Sequence, residues 1–155
     1  MKRKQFSIEI NAPKEKVYRS MLGLDKKQTY EQWTAAFNPT STYEGKWDQG
    51  SKIYFVGSDE NGNKAGMVSE VQENRPSEFV SIRHYGFLQG GVEITSGKEV
   101  EKWTGGRENY TFENKDGFTL VKVDIDVTPE HEAYFDSKYP EALKKLKEIS
   151  EEWTL

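Results

Sequence analysis

From about residue 40 to residue 127 the sequence offers strand after strand with turn residues between them, and one amphipathic helix then closes the chain. Strands grouped in one run, with helices kept to the two ends, do not build a doubly wound parallel sheet; they build an α+β fold. The cleanest strand is "FTLVKVDIDV", in which Thr119, Val121, Val123, Ile125 and Val127 alternate with Leu120, Lys122, Asp124 and Asp126. One face of that strand is buried and the other wet. A tight hairpin at "NKDG" opposes Phe112 to Thr119, Tyr110 to Val121 and Glu108 to Val123, which turns Glu108 inward as a buried carboxylate. Before it come the strands "STYEGKW", "SKIYFVG", "KAGMVSEVQ" and "EFVSIRHYGF", with hairpin signals at "DQG", "ENGN" and "ENRPS". The segment from Lys98 to Glu113 reads as one long strand with a bulge or bend at Gly105-Gly106.

The ends of the chain supply the helices. "FSIEI" alternates as a half-buried strand, and "NAPKEKVYRSMLG" follows as a short helix with Val17, Tyr18, Met21 and Leu22 on one face and Gly23 as its stop. Thr29 and Gln32 have capping-box spacing, Tyr30, Trp33 and Phe37 recur at helical intervals, and Asn38-Pro39 ends the run. At the far end Thr128 and Pro129 suit a cap and first helical position, and Pro140 is expected to kink or restart the helix. Tyr139, Ala142, Leu143, Leu146, Ile149 and Trp153 form its apolar stripe. One curved antiparallel sheet wrapping that helix is the compact solution. Side chains do not always fill the space between a twisted sheet and a helix laid across it, so a pocket is expected there.

Composition narrows the function. The chain has 155 residues and reads as one domain, 1–155. Its apolar fraction is only 34%, yet it holds 8 Phe, 8 Tyr and 4 Trp, so aromatic rings supply much of the core and can line a cavity. A net charge of −4 argues against a nucleic-acid surface. No apolar run is long enough for a membrane span and none reads as a signal peptide, which points to the cytoplasm. Without cysteine there are no disulfides, thiolate nucleophiles or Cys-bound metals. No phosphate loop, nucleophile elbow or dinucleotide fingerprint occurs, so no cofactor is implied. Asp59, Asn61, Asn63 and Glu70 imitate a calcium loop, but Lys64 stands at its glycine position and strands flank it, so a hairpin is expected and no metal.

"INAPKEKVY" resembles the opening strand-to-helix signature of the START-related, birch-pollen-allergen-like (SRPBCC) superfamily. "YEQWTAAFNP…YEGKWDQGSKIYF", "GMVSEVQENRPSEFVSIRH", "ENYTFEN" and "YPEALKKLKEISEEW" are similar to its branch of small bacterial homologues of the heat-shock-chaperone ATPase activator (AHSA-type). The likeness runs from about residue 5 to residue 153. It implies a helix-grip fold: a curved seven-stranded antiparallel sheet gripping a long C-terminal helix, with two short helices after strand 1 and a hydrophobic cavity between sheet and helix. Members bind lipids, sterols, polyketides or plant hormones, and a few relatives are cyclases or dioxygenase subunits, so the resemblance leaves the function open. The activator itself has a separate N-terminal chaperone-binding domain that is not seen here, and chaperone activation is not expected.

Three functions follow as expectations. The first is non-enzymatic binding of a small hydrophobic or amphipathic molecule, with Trp33, Phe37, His84, Trp103, Tyr110, Phe112, Val123, Tyr139 and Leu143 as cavity wall, and with Trp33 and Phe37 closing one end. The second is a cyclase- or hydrolase-like enzyme with an acid/base pair drawn from His84, Glu108 and Tyr110. His84 faces inward if Val80 and Ile82 do; the opposite parity, with Phe79, Arg83 and Tyr85 inward, is the alternative. Glu108 paired with an Arg or a Tyr hydroxyl at the rim is the plainer reading of that carboxylate. The third is a protein-interaction or co-chaperone-like module, monomer or homodimer, using exposed aromatics such as Trp47 or Phe118.

Overall fold

Alternation of apolar and polar residues decides which way each strand faces. In the first strand Phe6, Ile8 and Ile10 are turned inward while Ser7 and Glu9 are exposed. In the computed structural model, which describes residues 1–102 and 104–152, the chain runs β1 (Lys2–Ile10), α1 (Lys14–Leu22), α2 (Lys27–Thr34), β2 (Thr42–Gly45), β3 (Lys52–Ser58), β4 (Lys64–Arg75), β5 (Phe79–Gln89), β6 (Val92–Ile94), α3 (Lys98–Glu101), β7 (Gly106–Lys115), β8 (Phe118–Val127) and α4 (Glu132–Glu151). Trp103 and Trp153 lie outside the described residues.

All paired strands are antiparallel, in the order β1-β8-β7-β5-β4-β3-β2, with the three-residue β6 added on β5. The seven-strand path is the expected one, and β6 makes an eighth strand. Helix α4 lies against β1 and α2, and α1 bridges α2 and α4. Val17, Met21 and Leu22 of α1, Val121 and Val123 of β8, and Leu143 and Leu146 of α4 are buried in one core. Gly23 ends α1 in the left-handed conformation at φ 70°, its N–H capping the carbonyl of Ser20.

Several sequence expectations are corrected. The segment after residue 97 is not one strand: Lys98–Glu101 is a helical turn, and β7 begins only at Gly106 after Gly105 takes φ 84°. The turn of the β7–β8 hairpin lies one residue later than expected, which shifts each partner by two and pairs Phe112 with Val121, Tyr110 with Val123 and Glu108 with Ile125. The cause is the turn, since Asp116 and Gly117 both take positive φ, 45° and 96°, as a two-residue primed turn requires. A shift of two keeps the side-chain parity, so Glu108 still faces inward.

Helix α2 starts at Lys27 rather than at a Thr29 capping box; Thr29 Oγ1 donates instead to the carbonyls of Ser20 and Lys26. It stops at Thr34, which leaves Phe37 beyond its end. Helix α4 begins at Glu132, after a turn in which the His131 N–H reaches the Thr128 carbonyl, so Thr128 and Pro129 precede the helix. Pro140 neither ends nor restarts α4, which runs unbroken across it. Trp47 is not an exposed association residue: it is 5% exposed, with its ring 5.4 Å from Tyr43 and 5.6 Å from Phe55.

Candidate functional site

A cavity of about 660 Å³ lies between the inner face of the sheet and helices α2 and α4. Tyr30, Trp33 and Phe37 wall it on one side, Phe55 and Met67 reach it from β3 and β4, and Phe135 and Tyr139 come from α4. Its exposed lining residues, Glu99, His131 and Tyr134, mark the mouth. Ring contacts make this wall continuous: Tyr30 meets Tyr43 edge-on at 4.9 Å, Trp33 meets Tyr110 at 6.2 Å, and Phe37 meets Tyr139 at 4.9 Å. Trp33 is 1% exposed and its Nε1 donates to the Met21 carbonyl at 2.8 Å, so it is a fixed wall. Phe37, past the helix end and partly buried, is the freer of the pair.

A bulge brings Phe87 into this space beside the imidazole. Along β5, Ile82 pairs with Val71 and His84 with Ser69, but Gly86 pairs with Val68, so Tyr85 is the extra residue. His84 and Phe87, three apart, would point to opposite faces of a regular strand; with the bulge both line the cavity. The core position of Val80 and Ile82 and the place of His84 on the cavity wall settle the parity left open by the sequence as Val80, Ile82 and His84 inward.

Polar groups on this wall, with Ser69 buried behind them, form a chain. The Ser69 hydroxyl lies 2.6 Å from His84 Nδ1, His84 Nε2 lies 3.1 Å from Glu108 Oε1, and the Tyr139 hydroxyl donates to Glu108 Oε2. The side chains of His84 and Glu108 are 13% and 15% exposed, so both are largely desolvated yet reach the cavity. Facing the Glu108 carboxylate, His84 Nε2 carries the proton and donates, and Nδ1 accepts from the Ser69 hydroxyl, so both nitrogens are engaged. Burial first, and then the Glu108 charge, raises the Tyr110 phenol well above its ordinary range; Tyr30 is raised by the same two causes. Both phenols therefore stay neutral at physiological pH.

Of the residues expected at the wall, Trp33, Phe37, His84, Tyr110 and Tyr139 line the cavity. Phe112, Val123 and Leu143 do not: all three are in the closed core, and Phe112 packs edge-on to Tyr18 at 5.6 Å. Glu108 has Tyr139 as its hydroxyl partner rather than an Arg. Ser69 is an addition that sequence reasoning missed. The signal available for it was parity, because it lies two residues from the inward-facing Val71. Asp59 Oδ1 caps the N–H groups of Asn61 and Asn63 in the β3–β4 turn, which accounts for the calcium-loop letters, and no cluster suited to a metal occurs among the described residues.

Solved structures share this architecture. The Aha1 dimer from Colwellia psychrerythraea aligns with a TM-score of 0.67 at 22% identity, covering 97% of this chain and 97% of that one. The fold is a helix grip like that of the Colwellia protein. Within that helix grip, a Nitrosomonas europaea protein aligns at 16% identity over 95% of this chain and 92% of its own (TM-score 0.69). A Mesorhizobium loti protein does so at 17% over 98% and 100% (TM-score 0.65). At these identities the likeness is one of fold. No protein-family profile and no curated protein matches the sequence. No helix among the described residues is long and apolar enough to cross a membrane.

Proposed function

We propose that residues 1–155 act as one START-like domain, in the cytoplasm, that binds a small hydrophobic or amphipathic molecule between the sheet and α4 without transforming it. The observation that carries this reading is the cavity itself. About 660 Å³ is ligand-sized, and it stays open although the chain has enough aromatic rings to fill it. Transfer of apolar ligand surface from water supplies the affinity, at roughly 25 cal/mol per Å² before the costs of immobilisation. The scaffold shared with the Colwellia protein supports the reading.

An acid/base enzyme is the second reading, favoured by the 3.1 Å contact of His84 with Glu108. It is the weaker one, because Ser69, the hydroxyl set against His84, is fully buried and does not line the cavity, so the pair presents no nucleophile to a ligand. As for association, the Colwellia protein is described as a dimer, and a monomer or homodimer is in keeping with it.

Blocking the cavity tests the proposal. Ala65 lines it on β4 with the inward parity of Met67. Ala65→Phe is expected to keep the circular dichroism spectrum and melting temperature while abolishing the thermal shift given by any ligand of the wild type. A shift of unchanged size in the variant would place binding elsewhere.

A further inference from the structure

The charges that line the cavity are of one kind. Glu99, Glu108 and Asp126 contribute to the wall, and no Lys or Arg does so among the described residues. Two of these carboxylates have cationic partners outside the cavity: Asp126 is 3.1 Å from Arg3, and Glu99 is 3.3 Å from Lys102. Glu108 sits deeper and has His84 and Tyr139 for partners. Each of its two oxygens accepts one hydrogen bond from these groups, and a carboxylate oxygen has room for a second. Glu108 can therefore only accept, and its spare capacity faces the cavity. The rings of Tyr30, Trp33, Phe37, Phe55, Tyr110 and Tyr139 line the same space. Aromatic faces attract cations, most strongly where water is excluded, and they give an anion no such support.

From this charge pattern we infer that the preferred ligand is an amphiphile with one protonated amine, its ammonium donating to Glu108 and its apolar body packed among the aromatic rings. The inference rests on the cavity reading above and goes beyond it by fixing the sign of the ligand's charge. A carboxylate of the same length meets an acceptor in place of a donor and finds no guanidinium or lysine ammonium on the wall. An alcohol makes the hydrogen bond but lacks the charge. The order of affinity is therefore ammonium, then alcohol, then carboxylate.

Isothermal titration with n-octylammonium, octan-1-ol and octanoate, all below micelle-forming concentrations, reads this order directly. The wild type is expected to bind octylammonium at least about tenfold more tightly than octanol, as an ion pair in a largely desolvated site over a hydrogen bond from a neutral donor warrants, with octanoate weakest. Glu108→Gln keeps the shape and an acceptor oxygen, and should bring octylammonium to within about twofold of octanol in the same variant. Octanol or octanoate equalling octylammonium in the wild type overturns the inference, and that comparison does not depend on the variant. So does an amine preference that survives Glu108→Gln in a folded protein. If octanol and octanoate bind and octylammonium does not, the cavity reading stands and only this inference falls; if none of the three binds, both fall.

Discussion

Glu108 is held by two side chains that lie far from it in sequence, His84 and Tyr139. Hydrogen bonds to a charged group are worth about 1.5–3 kcal/mol when the acceptor is desolvated. Tyr139→Phe removes one of them and keeps the ring that stacks on Phe6 at 5.1 Å. Because Glu108 retains His84 and is 15% exposed to the cavity, the loss should fall at about 1–2 kcal/mol, read from the midpoint of urea unfolding. An unchanged midpoint would show that the hydroxyl contributes nothing. The inward direction of Glu108 was legible from alternation along "FTLVKVDIDV" and its hairpin partner. Tyr139 was legible as an aromatic wall residue but not as the partner of this carboxylate, because helical periodicity says which way a ring faces and not what its hydroxyl meets. Ser69 was missed for a related reason: a serine in a strand has no pattern that separates a surface hydroxyl from one set against an imidazole.

Elements were legible where one periodicity ran without interruption, as in β1, β8 and α1. They were misread where local and tertiary signals compete. "KEVEKW" alternates well enough for a strand, yet Lys98–Glu101 joins no strand of the sheet and forms a helical turn beside β5. Pro140 disfavours a helix interior by roughly 3 kcal/mol, but α4 buries Tyr139, Ala142, Leu143 and Leu146 on both sides of it, and that packing prevails. The junction of β1 with α4 is electrostatic as well: Glu132 lies 3.0 Å from both Lys2 and Lys4, and Asp136 lies 3.2 Å from Lys4. Hydrogen bonds from Lys4, and after it Lys2, hold the Glu132 carboxyl below the usual carboxylate range. Its folded-state value is thus below its unfolded one, so the stabilisation is complete above the ordinary carboxylate pKa and is lost as pH falls through the lowered value. Glu132→Gln should accordingly unfold more readily than the wild type near neutral pH and converge with it in acid, with the gap narrowing in high salt. Parallel stability curves from neutral pH into acid would contradict this.

At the scale of the molecule, the order of elements sufficed to predict one curved antiparallel sheet closed by a terminal helix. Its cavity was predicted only as a place. Inward-facing residues divide into those enclosed in the core, such as Phe112, Val123 and Leu143, and those that also border the cavity, such as Phe37, Phe55 and Tyr139. That division depends on the distance from sheet to helix, which no periodicity encodes. The β5 bulge at Tyr85, which turns Phe87 to the same face as His84, is equally silent in the sequence. The central claim is that this space holds a small molecule, and native mass spectrometry of the purified protein, compared with its denatured mass, tests it most directly. The account predicts one added small-molecule mass per chain that disappears on unfolding and is absent from Ala65→Phe. A native mass equal to that of the bare chain, with no thermal shift across amines, alcohols, lipids and aromatics, would contradict it.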